Sequence, residues 1–500
     1  MAGLPTRKVC LVQPSSENSY DSGKGIWPPL GLMCLAASLR ESGRYVSVVD
    51  AILEGFDRDI PVSKNAYLFG LPPEEIADRV LTHDPDVVGF SLLFVNQIRP
   101  AIATANIIRR QKPEALLVWG GPVITLNPGK YTAFPEVDAI VLGDAEVSLP
   151  RLLANLARDG FEAELASGTG LRRLAGFNLH PDHEPIHDLD SLPMPARDLV
   201  DMPGYTAAIR KSKILPKQLP ATTIMTARGC PRRCTFCSSP TLYKRSYKMR
   251  SPENVIAEID FLVAHHGARE IVILDENFAV NRKRVDRILD LLIERDYGLT
   301  WYCASGIEIP TLNEALLEKM VRAGLYKLKM SFESANDRVL RDLIKKPIDV
   351  GHGERMTRKA KELGIAVGAN FIIGYPGETR AEIFESFEFA KRVEFDFTLW
   401  NTATPYPNTE LTKHAIEQGL LSDDFDYTEL MPGKAFFAGA DYTYDDLTRW
   451  RYEFWHNLHF TDAGRTERYH RYAAFNPVYR QPRSEPGRNE TVNLPDITVA

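Results

Sequence analysis

"ARGCPRRCTFCSSP", residues 227–240, carries three of the chain's six cysteines, Cys230, Cys234 and Cys237, within eight positions. The spacing is C-x3-C-x2-C, and the run "ATTIMTAR" (221–228), which reads as a strand, leads directly into it. Thiolates are soft ligands, suited to iron–sulfur clusters, zinc or copper(I). A structural zinc ion takes four protein ligands, and iron–sulfur clusters usually take four cysteines. Three thiolates on one loop could instead hold three irons of a cubane and leave the fourth iron open. The alternatives are a Cys3His zinc site and a disulfide with a spare thiol. The nearest histidines, His265 and His266, lie well downstream on a predicted helix, not in a knuckle beside the cysteines.

The 500 residues exceed one ordinary domain. Charged residues are 25% and hydrophobics 44%, the range of a globular protein. With 66 acidic and 60 basic residues the formal net charge is −6, which gives no general attraction to nucleic acid. The start, "MAGLPTRKVCLVQP", lacks a signal core. No run reaches the roughly 18–20 apolar residues of a membrane span. The expected location is the cytoplasm, where clustered cysteines bind metal or do chemistry rather than form disulfides.

Downstream of the cysteines, strand-like runs alternate with helical stretches. The runs are "EIVILDEN" (270–277), "LTWYCAS" (299–305), "YKLKMSFES" (326–334), "AVGANFIIGYPGE" (366–378) and "FDFTLWNTATP" (395–405). Helices are expected over 252–266, 281–295, 312–323 and 352–363. With the strand before the cysteines this makes six βα units, a partial parallel barrel whose active groups lie at the strand C-termini. Upstream, "KVCLVQP" (8–14), "YVSVVDA" (45–51), "PDVVGFSLL" (85–93), "ALLVWGGP" (115–122) and "VDAIVLGDAE" (137–146) read as strands of a doubly wound sheet. Such sheets bind ligands beyond the strand carboxyl ends. There stand Gln13, Pro14, Ser15, Asp50, Ser91, Gly120, Gly121 and Gly143 to Glu146. No G-x-G-x-x-G follows the first strand, so a dinucleotide is not the favoured ligand.

The cysteine spacing, with Phe236 just before the third cysteine, resembles the radical S-adenosylmethionine (radical SAM) enzymes. In that family three cysteines hold a [4Fe-4S] cluster, SAM chelates the open iron, and one electron cleaves SAM to a 5′-deoxyadenosyl radical. The resemblance continues in order along the barrel. "LDEN" (274–277) matches the segment that binds the SAM amino group, with Asp275, Glu276 and Asn277 as candidates. "SFES" (331–334) matches a ribose-contacting segment, with Ser331 and Glu333. "NFIIGYPGET" (370–379) matches the adenine-packing segment, with Gly374, Tyr375 and Pro376. "TPYPNTEL" (404–411) resembles P-x-P-G-T-x-L with Asn408 in place of glycine.

The upstream sheet resembles the cobalamin-binding domain of a large radical SAM subclass, through "WPPLGLMCLAASLRESG" (27–43), "PDVVGFSLLF" (85–94), "WGGPVITLNP" (119–128) and "PEVDAIVLGDAEVSLPRLL" (135–153). The resemblance implies cobalamin contacts at Pro14, Ser91, Gly120, Gly121, Pro122, Gly143 and Glu146. The D-x-H-x-x-G motif that supplies a cobalt-binding histidine is absent; Asp182-His183 lies outside the sheet without a glycine in register. Within the subclass, "YLFGLPPEEI" (67–76), "VVGFSLLFVNQ" (87–97), "VLRDLIKKPIDV" (339–350) and "IAVGANFIIGYPGET" (365–379) are similar to the class B methyltransferase type of fosfomycin biosynthesis.

The expected fold is therefore α/β. A Rossmann-like cobalamin-binding domain (1–155) leads through a connector (156–220) to a partial (βα)6 TIM-like radical SAM barrel (221–420). A helical C-terminal region (421–478) and a loosely ordered tail (479–500) follow. The implied cofactors are a [4Fe-4S] cluster, SAM and cobalamin. The implied activity is methylation of an unactivated carbon or phosphorus of a small natural-product intermediate, as in antibiotic biosynthesis. The alternative is cobalamin-assisted radical chemistry without methyl transfer, such as cyclisation or ring rearrangement. The implied partners are a phosphonate or nucleotide-linked substrate and a reductant such as flavodoxin or ferredoxin, with no nucleic acid and no membrane. No catalytic residue beyond the cluster ligands follows from the resemblance.

Among the other residues, Cys10 and Cys34 fall in apolar patterns and read as core, and Cys303 ends the third barrel strand. One of Trp301 and Tyr302 should face the barrel interior and the other the helices. Trp450, Phe454 and Leu458 have the spacing of an amphipathic helix. The basic run "KRSYKMR" (244–250) is either a solvated face or a meeting point for an anionic substrate or reductant.

Overall fold

The computed structural model describes residues 4–473, except 5, 20–23, 64–65, 184, 213–215, 347, 428–429, 431–433 and 462. The tail expected over 479–500 lies outside the described residues. The first sheet has the spatial order Gly176–Leu179, Thr169–Arg173, Ala139–Val141, Leu116–Gly120, Val87–Ser91, Lys8–Gln13, Tyr45–Asp50. Its last five members pair in parallel. Those strands are covered on both faces, which is why they read as unbroken apolar runs rather than alternating ones. Helix Leu30–Glu41 buries Leu32, Ala36 and Leu39 on one face, and helix Ile98–Gln111 buries Ile98, Ala101, Ala105 and Ile108 against the other.

Two elements of this sheet depart from the sequence reading. Thr169–Arg173 and Gly176–Leu179 form an antiparallel hairpin on the sheet edge. They come from the stretch expected to be connector, so the sheet runs to residue 179 rather than ending before 155. Edge strands this short and half polar leave little hydrophobic pattern to read. Another part of that stretch is also built in: helix Met202–Lys211 docks by the Tyr205 hydroxyl, which donates to the buried Asp50 carboxylate. A small antiparallel sheet of Ser16–Ser19, Ala66–Phe69 and Asp59–Ser63 had no clear signal either.

The second unit follows the expected order. Ala221–Ile224, Glu270–Ile273 and Thr300–Cys303 form one parallel ladder; Lys327–Glu333, Ala366–Ile373 and Phe397–Thr402 form another. Bridges Trp301↔Leu325 and Ile307↔Met330 join the two into one curved wall of six strands. Helices Pro252–His266, Arg282–Arg295, Glu314–Arg322 and Val350–Glu362 return the chain between strands. Trp301 faces outward and donates to the Ala323 carbonyl, while Tyr302 faces inward beneath Lys327. In the C-terminal region, helix Tyr444–His459 lays Trp450 and Phe454 against Phe384, Phe387 and Trp400.

Arg197, from the connector, ties the first barrel strand to the helix behind it. It donates to Thr222 Oγ1 at 3.0 Å, the Thr223 carbonyl at 2.8 Å and Glu258 Oε1 at 2.8 Å. Glu258 also takes Arg250, and both Arg197 and Glu258 are buried. Removing one partner of a buried pair strands the other charge. Glu258→Gln should therefore lower the free energy of unfolding in denaturant titrations by about 3 kcal/mol or more. A loss below about 1 kcal/mol would contradict the buried-pair assignment.

Candidate functional site

The three cysteines sit on an excursion closed at its neck by the antiparallel pairing of Ala227–Gly229 with Tyr247–Met249. Gly229, φ +82°, lies against the Ser246 carbonyl, where a Cβ would come within 2.2 Å. Thr235 pins the loop tip between two barrel elements. Its N–H donates to the Ile344 carbonyl at 3.0 Å, its hydroxyl to the Leu343 carbonyl at 2.7 Å, and its own carbonyl accepts from Leu411 N at 2.9 Å. Those carbonyls lie at the C-terminal end of the π-helical turn Val339–Leu343, where the last carbonyls have no partner within the helix. Cys230, Cys234 and Cys237 are all half-buried and unbridged. Burial pushes the Cys234 thiol up to about 12 and the Cys237 thiol up to about 11. Both need a metal to hold them as thiolates. Among the described residues no set of His, Cys, Asp and Glu is gathered around a single ion. A cubane asks for a different arrangement, each thiolate capping its own iron.

Around the loop stand the residues expected to meet SAM. Asn277 Nδ2 lies 3.7 Å from Cys230 Sγ and donates to Glu308 Oε2 at 2.9 Å; its Oδ1 is buried with no partner among the described residues. Phe236 meets Tyr375 edge to face at 6.5 Å, and the buried Tyr375 hydroxyl also lacks a partner among them. Glu333, in the left-handed region at φ +67°, ends a bulge in the fourth barrel strand. That strained geometry aims its carboxylate at the buried Lys346, 2.9 Å away, and Lys346 also donates to the Ser331 carbonyl at 2.7 Å. Gly374 and Tyr375 donate their N–H groups to Glu378 Oε2, at 2.7 and 3.0 Å, and Pro376 follows half-buried. A buried unsatisfied acceptor, a buried unsatisfied hydroxyl and a lysine–glutamate pair around one loop fit an amino acid carrying a nucleoside.

Two expected contacts have other work. Asp275 is fully buried and accepts from the Thr226 N–H and hydroxyl, so it fixes the end of the first strand. Glu276 accepts from Gly229 N at 3.0 Å and supports the loop neck. Sequence reasoning missed Thr235, Glu308 and Lys346. Each acts through a tertiary partner far along the chain, which local pattern does not carry.

The C-terminal edge of the first sheet faces this loop. Arg228, two residues before Cys230, donates to Asp144 Oδ1 at 2.8 Å and Glu146 Oε1 at 2.6 Å. Burial alone would lower the Arg228 guanidinium, but Glu146 and Asp144 beside it hold it well above its ordinary value. Asn408 adopts a left-handed φ of +61°, which asparagine tolerates better than most residues, and its amide donates to the Leu126 carbonyl. His183 Nε2–H donates to the Leu242 carbonyl at 3.0 Å.

The expected cobalamin contacts divide accordingly. Glu146 is taken by Arg228. Gly143 is roofed by the His183 ring, which a Cβ would meet at 2.4 Å, and a Cβ on Gly121 would strike the Leu92 carbonyl at 2.6 Å. These glycines serve packing of the chain on itself. Pro122 starts the short helix Pro122–Leu126, and the Pro14 carbonyl accepts from Gln97. Ser91 and Gly120 remain half-exposed at neighbouring strand ends. Beside them, Leu93 and Phe94 are exposed, and the buried Gln13 Oε1 lacks a partner among the described residues. An apolar shelf beside polar strand ends fits a large ring with amide arms.

Two family models match the chain: the radical SAM superfamily over residues 224–390 and the B12 binding domain over residues 21–153. An uncharacterised methyltransferase of Pyrococcus horikoshii is 30% identical over 420 residues, 84% of this chain and 85% of the relative. The cytidylyl-2-hydroxyethylphosphonate methyltransferase of Streptomyces wedmorensis is 26% identical over 452 residues, 84% of this chain and 83% of the relative. Among solved structures, the radical SAM methyltransferase TsrM of Kitasatospora setae, with cobalamin and a [4Fe-4S] cluster bound, aligns with a TM-score of 0.66. It is 19% identical, over 83% of this chain and 78% of that one. The chain belongs to the family of cobalamin-dependent radical SAM methyltransferases.

Two outcomes check the site. Alanine at Cys230, Cys234 or Cys237 should each abolish the iron–sulfur absorbance after anaerobic reconstitution; a variant that keeps full iron and sulfide content contradicts the ligand set. Burial raises the Glu378 carboxyl from its ordinary 4.5 to about 8, so the folded state keeps a proton that the unfolded chain releases. That stabilisation is complete below about pH 4.5 and disappears as pH rises through about 8. Glu378→Gln should flatten the decline in denaturation free energy across that window. An unchanged slope would show that Glu378 is not its source.

Proposed function

We propose that this enzyme methylates an unactivated carbon, or phosphorus, of a small natural-product intermediate. The observation that carries the reading is the Arg228 clamp. It sets the loop of the three cysteines against the strand ends of the B12-binding domain, so two cofactor sites share one cleft. When bound, the cluster and SAM supply a carbon radical at the substrate and cobalamin supplies the methyl group.

The chain's own residues position these groups and exclude solvent. Cys230, Cys234 and Cys237 hold the cluster, and Thr235 keeps their loop from moving. Asn277, fixed by Glu308, presents an amide oxygen to the SAM amino group. Lys346 holds Glu333 and Ser331 toward the ribose. Tyr375 and Phe236 cover the adenine side and keep water out. Leu93 and Phe94 seat the corrin, with Ser91, Gly120 and Gln13 toward its amide arms. The substrate then reacts between two fixed cofactors, which is a matter of orientation.

The reductant is an acidic flavodoxin or ferredoxin that meets the exposed face of the cysteine excursion. From Cys230 to Ser246 that excursion contains no carboxylate, and Arg232, Arg233, Lys244 and Arg245 are exposed. Among the described residues no helix is long and apolar enough to cross a membrane. The proposed location is the cytoplasm.

Anaerobic incubation with SAM, cobalamin, reductant and a panel of phosphonate and sugar-nucleotide compounds tests the activity by mass. The expected product gains one methylene unit, with deoxyadenosine formed alongside. Deoxyadenosine with a cyclised or rearranged product and no mass gain would replace methyl transfer with the alternative chemistry. Separately, Lys244→Glu with Arg245→Glu should slow turnover about tenfold with flavodoxin and leave turnover with dithionite unaffected. Equal loss with both reductants would remove the docking assignment.

A further inference from the structure

The inner wall of the barrel's second half is more accessible than its outer wall. Along the fourth strand Leu328, Met330 and Phe332 are buried while Lys327, Lys329 and Ser331 are half-exposed. In the fifth, Ala366 and Asn370 are half-exposed between buried neighbours. In the sixth, Thr398, Trp400 and Thr402 are buried, Phe397 and Asn401 are half-exposed, and Leu399 is exposed at 37%. The buried set faces the helices: Met330 receives the Thr357 hydroxyl and Phe332 packs on Phe389. The accessible set therefore faces inward. A closed barrel of this type fills its interior with branched apolar side chains; this one is hollow on one side and lined by Lys329, Ser331, Asn370 and Asn401.

The two lysines of that wall differ. Lys327 is occupied: its ammonium lies 3.8 Å over the Tyr302 ring, above Glu270 and the groups that bind it at the barrel floor. Lys329 donates to one neutral acceptor, the Ala304 carbonyl at 3.0 Å, and among the described residues no carboxylate pairs with it. Across the ladder from it stands Gly368, which projects no side chain. Enclosure by the barrel lowers the Lys329 ammonium from its ordinary value, opposed by Glu333 further up the strand. A desolvated ammonium with one neutral partner is costly unless an anion joins it.

We propose that Lys329 is the substrate-recognition residue of the barrel hollow and takes the phosphonate or phosphate group of the substrate. Asn370 and Asn401 supply amide donors for the remaining oxygens, and a lysine ammonium suits a tetrahedral oxyanion as a point charge. Lys329 precedes Glu333 by four residues on the same strand, with the bulge between them, and its ammonium reaches the Ala304 carbonyl just past the end of the third barrel strand. The charged end of the substrate is thus held on the inner wall, and the reacting end points toward the cofactor sites. This rests on the function proposed above.

Methylphosphonate serves as the probe, with protein carrying its cluster and cobalamin. Binding is read by phosphorus NMR titration. Lys329→Met should weaken binding at least about tenfold, Lys329→Arg should restore most of it, and the surface control Lys319→Ala should leave it unchanged. Mass mapping of lysine acetylation in the unmutated protein decides the question even if Lys329→Met fails to fold: methylphosphonate should protect Lys329 and not Lys244. Unaltered binding in Lys329→Met, or no protection of Lys329, overturns the proposal. Protection by acetate but not by methylphosphonate overturns the phosphonate class. Deoxyadenosine formation by the unmutated enzyme is scored in parallel. Its absence, with Lys329 still protected, would sink the radical reading and leave the anion site standing.

Discussion

Arg228 is the residue on which the rest of the arrangement depends. It belongs to the neck of the cysteine loop, yet both of its carboxylate partners belong to the other domain, at the first turn of helix Ala145–Asp159. Acidic residues are favourable at a helix N-terminus, so Asp144 and Glu146 are held there before the arginine arrives. Desolvated on all sides, the guanidinium can remain only where both carboxylates reach it. One buried ion cluster thereby fixes the spacing between the cysteine loop and the strand ends of the first sheet. His183 on Leu242 and Asn408 on Leu126 add weaker contacts on either side of it.

Given that spacing, the barrel divides its labour by height. The floor is a sealed polar plug, in which Glu270 accepts from Thr300, Tyr326 and Gln218. The top is a rigid rim, where Thr235, Asn277, Glu333 and Tyr375 are each held by a named partner or by burial. The hollow between them is lined by half-exposed polar side chains, Lys329, Ser331, Asn370 and Asn401. Polar side chains that are well placed but under-bonded are poor choices for stability and good ones for recognition.

The sequence made the frame legible because the frame is periodic. Parallel strands buried on both faces leave apolar runs, and all six barrel strands were readable from "ATTIMTAR" to "FDFTLWNTATP". The candidate cluster ligands stood out because three cysteines on one turn have few other uses. What escaped was non-local. The edge hairpin at Thr169–Leu179 is too short and too polar to pattern. Glu146 looked like a ligand contact because it stands at a strand end, and only the fold brings Arg228 to it from 82 positions away. Gly121 and Gly143 were expected to contact cobalamin, but a Cβ at either would strike the chain itself. Lys329 was hidden inside a strand whose alternation gave no sign of which face was hollow.

The central claim is that three cysteines leave one iron open toward the cleft, where SAM chelates it. Electron–nuclear double resonance on the reduced cluster, with SAM carrying a nitrogen-15 amino group, reads that contact directly. The account predicts a nitrogen-15 coupling that appears when labelled SAM is added and is weakened by Asn277→Leu. A reduced cluster whose spectrum does not change with labelled SAM, at full cluster content and saturating SAM, would contradict it.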